Sequence, residues 1–330
     1  MGSNQTRGGR TSLVTGGTGG IGRAVAVRLA AGGDRVLIAG RDQRRAAAVL
    51  DELRRVNPDA EHRFLSADLA LLEETAGLAE SVAEATDRLD AIVCCAGLFS
   101  TVTDYTTEGL ERTLVLNYLS RYLLARRLLP LLQASPSGRL VLVANAGRYP
   151  DTIDLDDLQH RRGRPGLAVA GRTQFANDLL AVELAERAGP AGVQVTCVYP
   201  GIVRTEVFAN ARGPGPVVRA VAVMLNRLIG SSPESAAYTP AFLASAPETG
   251  DLGGRFYGPR LREIRIPDRV RRPDRRAALW AASEELVRDY LPVDPVTGDV
   301  ARLLADRSPE LIPACDSPMS CQVLLGCRRW

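Results

Sequence analysis

Lysine is absent from all 330 residues, so the 41 side chains of the lysine and arginine class are all arginine. Mechanisms that need a side-chain amine, whether as a Schiff base or as an ammonium that lowers a neighbour's pKa, are thereby excluded. No uninterrupted apolar run reaches the roughly 18–20 residues that span a bilayer, and the opening Met1-Gly2-Ser3-Asn4-Gln5-Thr6 has no hydrophobic signal core. A cytoplasmic chain with no membrane partner is expected. The formal charge of +3 is spread along the chain, which gives no basic stripe for nucleic acid. Cysteine is sparse and not arranged as a disulfide scaffold. Cys94, Cys95 and Cys197 end or lie within apolar runs, where a small buried thiol is the ordinary reading. Cys315, Cys321 and Cys327 lack the close pairing that zinc sites use, so no metal is expected.

What the chain does have is alternation. Apolar, β-branched runs at Thr11–Val14, Val36–Ala39, Arg63–Leu65, Leu89–Cys94, Leu140–Val143 and Val193–Val198 read as strands. Between them lie helical patterns over Gln43–Val56, Leu71–Ala85, Glu108–Leu132 and Thr173–Ala188. Strands of this kind separated by amphipathic helices require a parallel sheet covered on both faces, because each right-handed crossover lays its helix across the sheet. The fold class is α/β, a doubly wound parallel sheet. After Pro200 the alternation lapses into helices over Val217–Leu228 and Ser235–Ala244, a strand at Arg255–Tyr257 and a closing helix over Arg276–Tyr290.

The most informative stretch is Thr15-Gly16-Gly17-Thr18-Gly19-Gly20-Ile21-Gly22, between the first strand and a helical pattern carrying Val25 and Leu29. A glycine turn there lets backbone N–H groups and a helix N-terminus approach a pyrophosphate, whose charge the helix dipole favours. Gly40-Arg41-Asp42 ends the second strand and places a guanidinium near the expected ribose 2′ position. Arginine there pairs with a 2′-phosphate, whereas an acid accepts from a free 2′-hydroxyl, so NADP(H) is preferred over NAD(H).

Thr15-Gly16 with Gly20-Ile21-Gly22 resembles the Thr-Gly-x-x-x-Gly-x-Gly fingerprint of the short-chain dehydrogenase/reductase family. Further landmarks follow in order. Asp68-Leu69 resembles the family's pair beside the adenine, and Cys94-Cys95-Ala96-Gly97 stands where the family has Asn-Asn-Ala-Gly. Asn117 stands at the helix asparagine that helps hold an ordered water. Pro200-Gly201-Ile202-Val203-Arg204-Thr205 resembles the segment that closes over the nicotinamide carboxamide. Asp154-Leu155-Asp156-Asp157-Leu158, Thr173–Asn177 and Leu279-Trp280 look closest to the retinol-dehydrogenase-like branch. The resemblance implies a Rossmann-type sheet in a single NAD(P)-binding domain over residues 10–290, after a disordered start at 1–9. A C-terminal tail over 291–330 has no assigned role. It also implies cofactor contacts from Thr15, Gly16, Thr18, Gly20, Ile21, Gly22, Arg41, Asp68, Leu69, Ala96, Gly97, Gln174, Pro200, Gly201, Val203 and Thr205.

The same resemblance fails at the chemistry. The family reduces carbonyls with a Tyr-x-x-x-Lys pair and an upstream serine, but those positions hold Ala170, Gln174 and Asn145. Asparagine and glutamine can orient a substrate oxygen or a ribose, but neither titrates near neutral pH. Tyr149, His160 and Tyr199 are the replacement acids within reach along the chain. Two readings stay open. One is an atypical NADP(H)-dependent oxidoreductase acting on a small-molecule ketone, quinone or enone, with Asn117, Asn145 and Tyr149 in the catalytic site. The other is a catalytically silent scaffold or subunit. Family dimers pair the long helices corresponding to Glu108–Leu132 and Thr173–Ala188, so a homo-oligomer or a heterodimer with an active relative is expected.

Overall fold

The protein's structure, a computed structural model, describes residues 9–205, 209, 211–213, 215–245 and 252–292. The N-terminal stretch through residue 8 and the tail from residue 293, with its three cysteines, lie outside the described residues. Strand β1 (Thr11–Thr15) leads through the glycine turn into α1 (Gly20–Ala31). The alternation continues as β2 (Arg35–Gly40), α2 (Gln43–Val56), β3 (Arg63–Ser66), α3 (Leu72–Ala85) and β4 (Ala91–Cys94). Then come α4 (Arg112–Leu114), a π-helical turn over Val115–Leu119, α5 (Ser120–Gln133), β5 (Arg139–Val143), α6 (Leu167–Ala188) and β6 (Gln194–Val198). The remainder holds α7 (Pro216–Ile229), α8 (Pro233–Ala236), α9 (Tyr238–Ser245), β7 (Phe256–Tyr257), β8 (Glu263–Ile264), α10 (Asp268–Arg271) and α11 (Pro273–Val287).

The described strands form one 8-stranded sheet in the order β3-β2-β1-β4-β5-β6-β7-β8. Successive residues of a strand point to opposite faces, and both faces are buried. Leu13, Leu37, Ile92, Leu140 and Cys197 enter a core shared with α3, α5, α6 and α11. Val14, Ile38, Val93, Val141 and Val198 enter a second core shared with α1, α2 and α9. This two-sided burial is why the strands read as continuous apolar runs rather than as alternating ones. The chain winds from β1 to β3 on one side and resumes at β4 on the other, so the winding reverses at the β1/β4 seam. A crevice opens beyond the carboxyl ends of strands at such a seam.

Several expectations need correction. The helix expected over 108–132 starts at Arg112, because the Glu111 carboxylate caps it by accepting from Thr113 N–H at 2.9 Å and Leu114 N–H at 2.7 Å. It is interrupted by the π-helical turn over Val115–Leu119. Helix α6 begins at Leu167, six residues before the expected Thr173, directly after Gly166 at φ 153°. The single helix expected over Ser235–Ala244 is two, α8 and α9. Strand β8 pairs antiparallel to β7, with Phe256 opposite Ile264. Two residues are too short for a hydrophobic period, so this strand left no trace in the pattern.

Candidate active site

The glycine turn is built so that no side chain fits it. Gly16 adopts φ 65°, and a Cβ on it would lie 2.8 Å from Ala96 N. A Cβ on Gly22 would lie 2.3 Å from the Gly16 carbonyl oxygen. The backbone of β1 therefore meets the end of β4 directly, and Ala96 N–H donates to Thr15 Oγ1 at 3.3 Å. Gly19 caps α1 without a side-chain bond, and the first turn of the helix carries no acid. The free N–H groups at that end form a seat for an anion. Thr205 returns over it, with its Cγ2 3.2 Å from where a Gly20 Cβ would be. Thr18 packs against Gly40 at the end of β2. Thus the glycine turn, the β2 end and the Pro200-Gly201 segment, far apart in sequence, meet around one cradle.

At its outer end Arg41 is 67% exposed and its Nη1 stands 3.5 Å from Asp68 Oδ2. Asp68 Oδ1 accepts from Ala70 N–H at 3.0 Å, and Leu69 beside it is buried. The cationic fork thus stays open to solvent. Val203 is buried and bridges to Ser231, and Gly201 adopts φ 88° at the turn before it.

Deeper in the crevice, Asn117 is buried inside the π-helical turn. Its Oδ1 accepts from Leu98 N–H at 2.9 Å, and its Nδ2 donates to Leu98 O at 3.0 Å and Thr173 Oγ1 at 3.3 Å. The side chain therefore staples the segment after β4 to α6, just beyond Gly97. Arg121, one turn further along, donates to Ala96 O at 2.9 Å and Asn177 Oδ1 at 3.1 Å. No motif singled it out, although its spacing from Asn117 puts both on one helix face. The thiols flanking this seam are inert, since burial pushes Cys94 up to about 11 and Cys95 up to about 12.

The loop over 144–149 carries two of the expected site residues, half-buried Asn145 and Tyr149. It is clamped from both sides. From inside, buried Asp178 accepts from Gly147 N–H at 2.9 Å. From outside, Arg269 donates to Gly147 O at 3.1 Å and Tyr149 O at 2.9 Å. Burial pushes the Asp178 carboxyl up to about 7 against the opposing pull of Gly147 N–H, the Cys197 thiol and Arg269. Asp178 lies one turn after Gln174, a spacing that marks it as a neighbour of the site.

The Tyr149 ring lies on α6, with its Cδ1 3.0 Å from where a Gly171 Cβ would be. Burial and the neighbouring Tyr199 hold its phenol above the ordinary tyrosine value. Arg148 covers the Tyr199 ring, its guanidinium carbon 4.1 Å from the centroid. His160 does not join this group, since its Nε2 lies 3.2 Å from Arg164 O within its own loop. Ala170 is buried, and the Oε1 of Gln174 is buried with no hydrogen-bond partner among the described residues.

Those observations fit a bound dinucleotide. The cradle is one that a single Cβ would fill, and the orphaned Gln174 oxygen is a buried acceptor with no partner among the described residues. Neither fact requires the missing lysine.

Comparison with known proteins agrees with this geometry. Residues 10–152 match a family model described as short chain dehydrogenase. Over 254 residues the chain is 35% identical to polyprenol dehydrogenase of Mus musculus, with 75% of each chain covered. Over 292 residues it is 30% identical to retinol dehydrogenase 14 of Homo sapiens, covering 84% of this chain and 86% of that protein. A solved short chain dehydrogenase/reductase family protein superposes with a TM-score of 0.57 at 27% identity, covering 76% of this chain and 94% of the other.

Proposed function

Because this chain belongs to the short-chain dehydrogenase/reductase family, we propose that it is an NADP(H)-dependent oxidoreductase whose proton donor is Tyr149 in place of the usual tyrosine. The reading is carried by one observation: the Tyr149 ring covers Gly171, next to Ala170 where the family's tyrosine is missing. When bound, the dinucleotide supplies the hydride. The chain's own residues do the rest. Asn145 donates a hydrogen bond to the acceptor's oxygen and orients it, and the Tyr149 hydroxyl gives that oxygen its proton. The Gln174 amide oxygen accepts from the ribose. Asn117 keeps the segment over Ala96 and Gly97 against α6.

A positioned general acid is typically worth about 10²–10⁴ in rate, whereas holding donor and acceptor together contributes on the order of 7–11 kcal/mol. With a phenol above its ordinary value and no lysine beside it, an electron-poor ketone, quinone or enone is the acceptor class that suits this site. Both relatives named above take their names from long apolar alcohols, which favours an apolar acceptor.

The test is titration with NADPH and NADH, followed by assay of Tyr149→Phe against ketone, quinone and enone acceptors. Tight NADPH binding with turnover that Tyr149→Phe removes is the expected result. Ala170 and Gln174 favour a second reading, a silent cofactor-binding scaffold or heterodimer subunit. NADPH binding without turnover of any acceptor would establish that one instead.

A further inference from the structure

The loop that carries Asn145 and Tyr149 is folded back on itself. Arg148 N–H donates to the Asn145 carbonyl at 2.9 Å, and Gly147, third in this turn, adopts φ 71°. A turn of this kind holds its first and fourth Cα atoms within about 7 Å, so the Arg148 backbone stands beside Asn145. From there the side chain reaches toward the neighbouring strand, and its guanidinium carbon lies 4.1 Å from the centroid of the Tyr199 ring. Tyr199 directly follows β6, which pairs with β5, and it leads into the Pro200-Gly201 turn. Arg148 therefore spans the carboxyl ends of two paired strands, at the edge on which the crevice opens.

Its charge has no counterpart. Arg148 is exposed, and among the described residues no carboxylate pairs with it. The other charges of this region are committed. Arg269 is bonded to the Gly147 and Tyr149 carbonyls, Arg275 holds Asp151 at 2.9 Å, and buried Asp178 is turned onto Gly147 N–H. An aromatic face engages the plane of a guanidinium and leaves the N–H donors along its rim free. The Tyr199 ring thus holds the fork in place without satisfying it. Nor do the phosphates of a dinucleotide call for it, because the glycine turn after β1 and Arg41 after β2 lie beyond β4 from this point in the sheet.

We propose that Arg148 selects acceptors that carry a carboxylate, which its guanidinium binds through paired N–H donors while Asn145 and Tyr149 hold the carbonyl oxygen. The inference rests on the seat proposed above for the acceptor. It narrows the ketone, quinone or enone to one with an apolar body and an anionic arm. The turn that brings Arg148 beside Asn145 sets that arm at the same end of the molecule as the reacting carbonyl. A neutral acceptor of the same shape leaves the fork to water and gains nothing from it.

Calorimetry of the full chain with NADP present, titrated with 3-acetylbenzoate, 4-acetylbenzoate and their methyl esters, tests it. The expected result is that an acid binds about 10- to 100-fold more tightly than its ester, by a margin that shrinks as salt is added. Arg148→Gln should bring the acid down to the ester, while thermal melting and NADPH binding, read in parallel, stay unchanged because the side chain is exposed and outside the cradle. Arg148→Lys keeps the charge but not the fork, and should recover only part of the preference. Acids that bind no better than their esters, or a preference that survives Arg148→Gln, would overturn the proposal. An acid preference that depends on Arg148 without turnover of any acceptor would count against Tyr149 as proton donor and leave Arg148 in its role. Turnover that Tyr149→Phe removes, with acid and ester accepted alike, would do the reverse.

Discussion

The ring of Tyr149 rests on Gly171 so closely that a Cβ there would lie 3.0 Å from the ring. Gly171 is inside the 22-residue helix α6, where glycine costs about 1 kcal/mol relative to alanine. The missing side chain is the space that the aromatic ring uses. Loop and helix are thus complementary at one point, and that point adjoins Ala170.

Tyr149→Phe should lower turnover by about 10²–10⁴ while leaving NADPH affinity unchanged, which steady-state assay and titration measure separately. Gly171→Ala should also lower turnover by displacing the ring, with little change in melting temperature because the gain in helix propensity opposes the clash. Full activity in Tyr149→Phe would place the proton donor elsewhere.

Arg41→Ala should weaken NADPH binding about 10- to 100-fold, since a hydrogen bond to a charged group contributes roughly 1.5–3 kcal/mol. NADH binding should not move. Because Arg41 is exposed and 3.5 Å from Asp68, its ion pair adds little to stability, and the variant should melt like the parent. Equal losses for both dinucleotides would refute a 2′-phosphate role.

Asp178 should make stability depend on pH. Its carboxyl stays protonated up to about 7 in the folded chain, whereas the unfolded chain ionises near the ordinary aspartate value of 3.8. Between those values the folded state holds the extra proton, so stability falls as pH rises, by up to about 1.4 kcal/mol per unit. The contribution is complete below the unfolded value and lost above about 7. Urea unfolding of parent and Asp178→Asn between about pH 5 and pH 7 measures the difference. Parallel slopes in the two proteins would rule it out.

Glu111 and Arg172 form an ion pair with side chains 0% and 5% exposed. Glu111→Gln leaves the guanidinium buried without its counter-charge, which typically costs about 3–5 kcal/mol. It also weakens the cap on Thr113 and Leu114. A denaturant midpoint unchanged from the parent would show that solvent or another group already neutralises Arg172.

What was legible in the sequence is what local chemistry dictates. The glycine turn, Arg41 at the end of β2 and the Pro200-Gly201 segment each declare themselves within a few residues, and the structure brings them to one cradle. Asn117 was legible, but the π-helical turn that holds it was not, because its hydrogen bonds leave no hydrophobic period. The Tyr149 contact with Gly171, the Asp178 clamp on Gly147 and the Arg121 bond to Ala96 join segments that have no local reason to meet. Only one-turn spacings, Asn117 to Arg121 and Gln174 to Asp178, carried any signal for them. Helix α7 was visible as a helix, but that its apolar residues face outward depends on what lies beneath it.

The bond from Ala96 to Thr15 joins positions 81 apart in the chain, and synthesis gives that separation a direction. A ribosome releases both partners of that bond before the loop over 144–149 or α6 exists. Thr205, which closes over Gly20, is made only after β6, so the cradle is completed late in synthesis. Replacement of Gly16 or Gly22, whose Cβ would lie 2.8 Å and 2.3 Å from backbone atoms, should accordingly show as poor yield before it shows as poor activity.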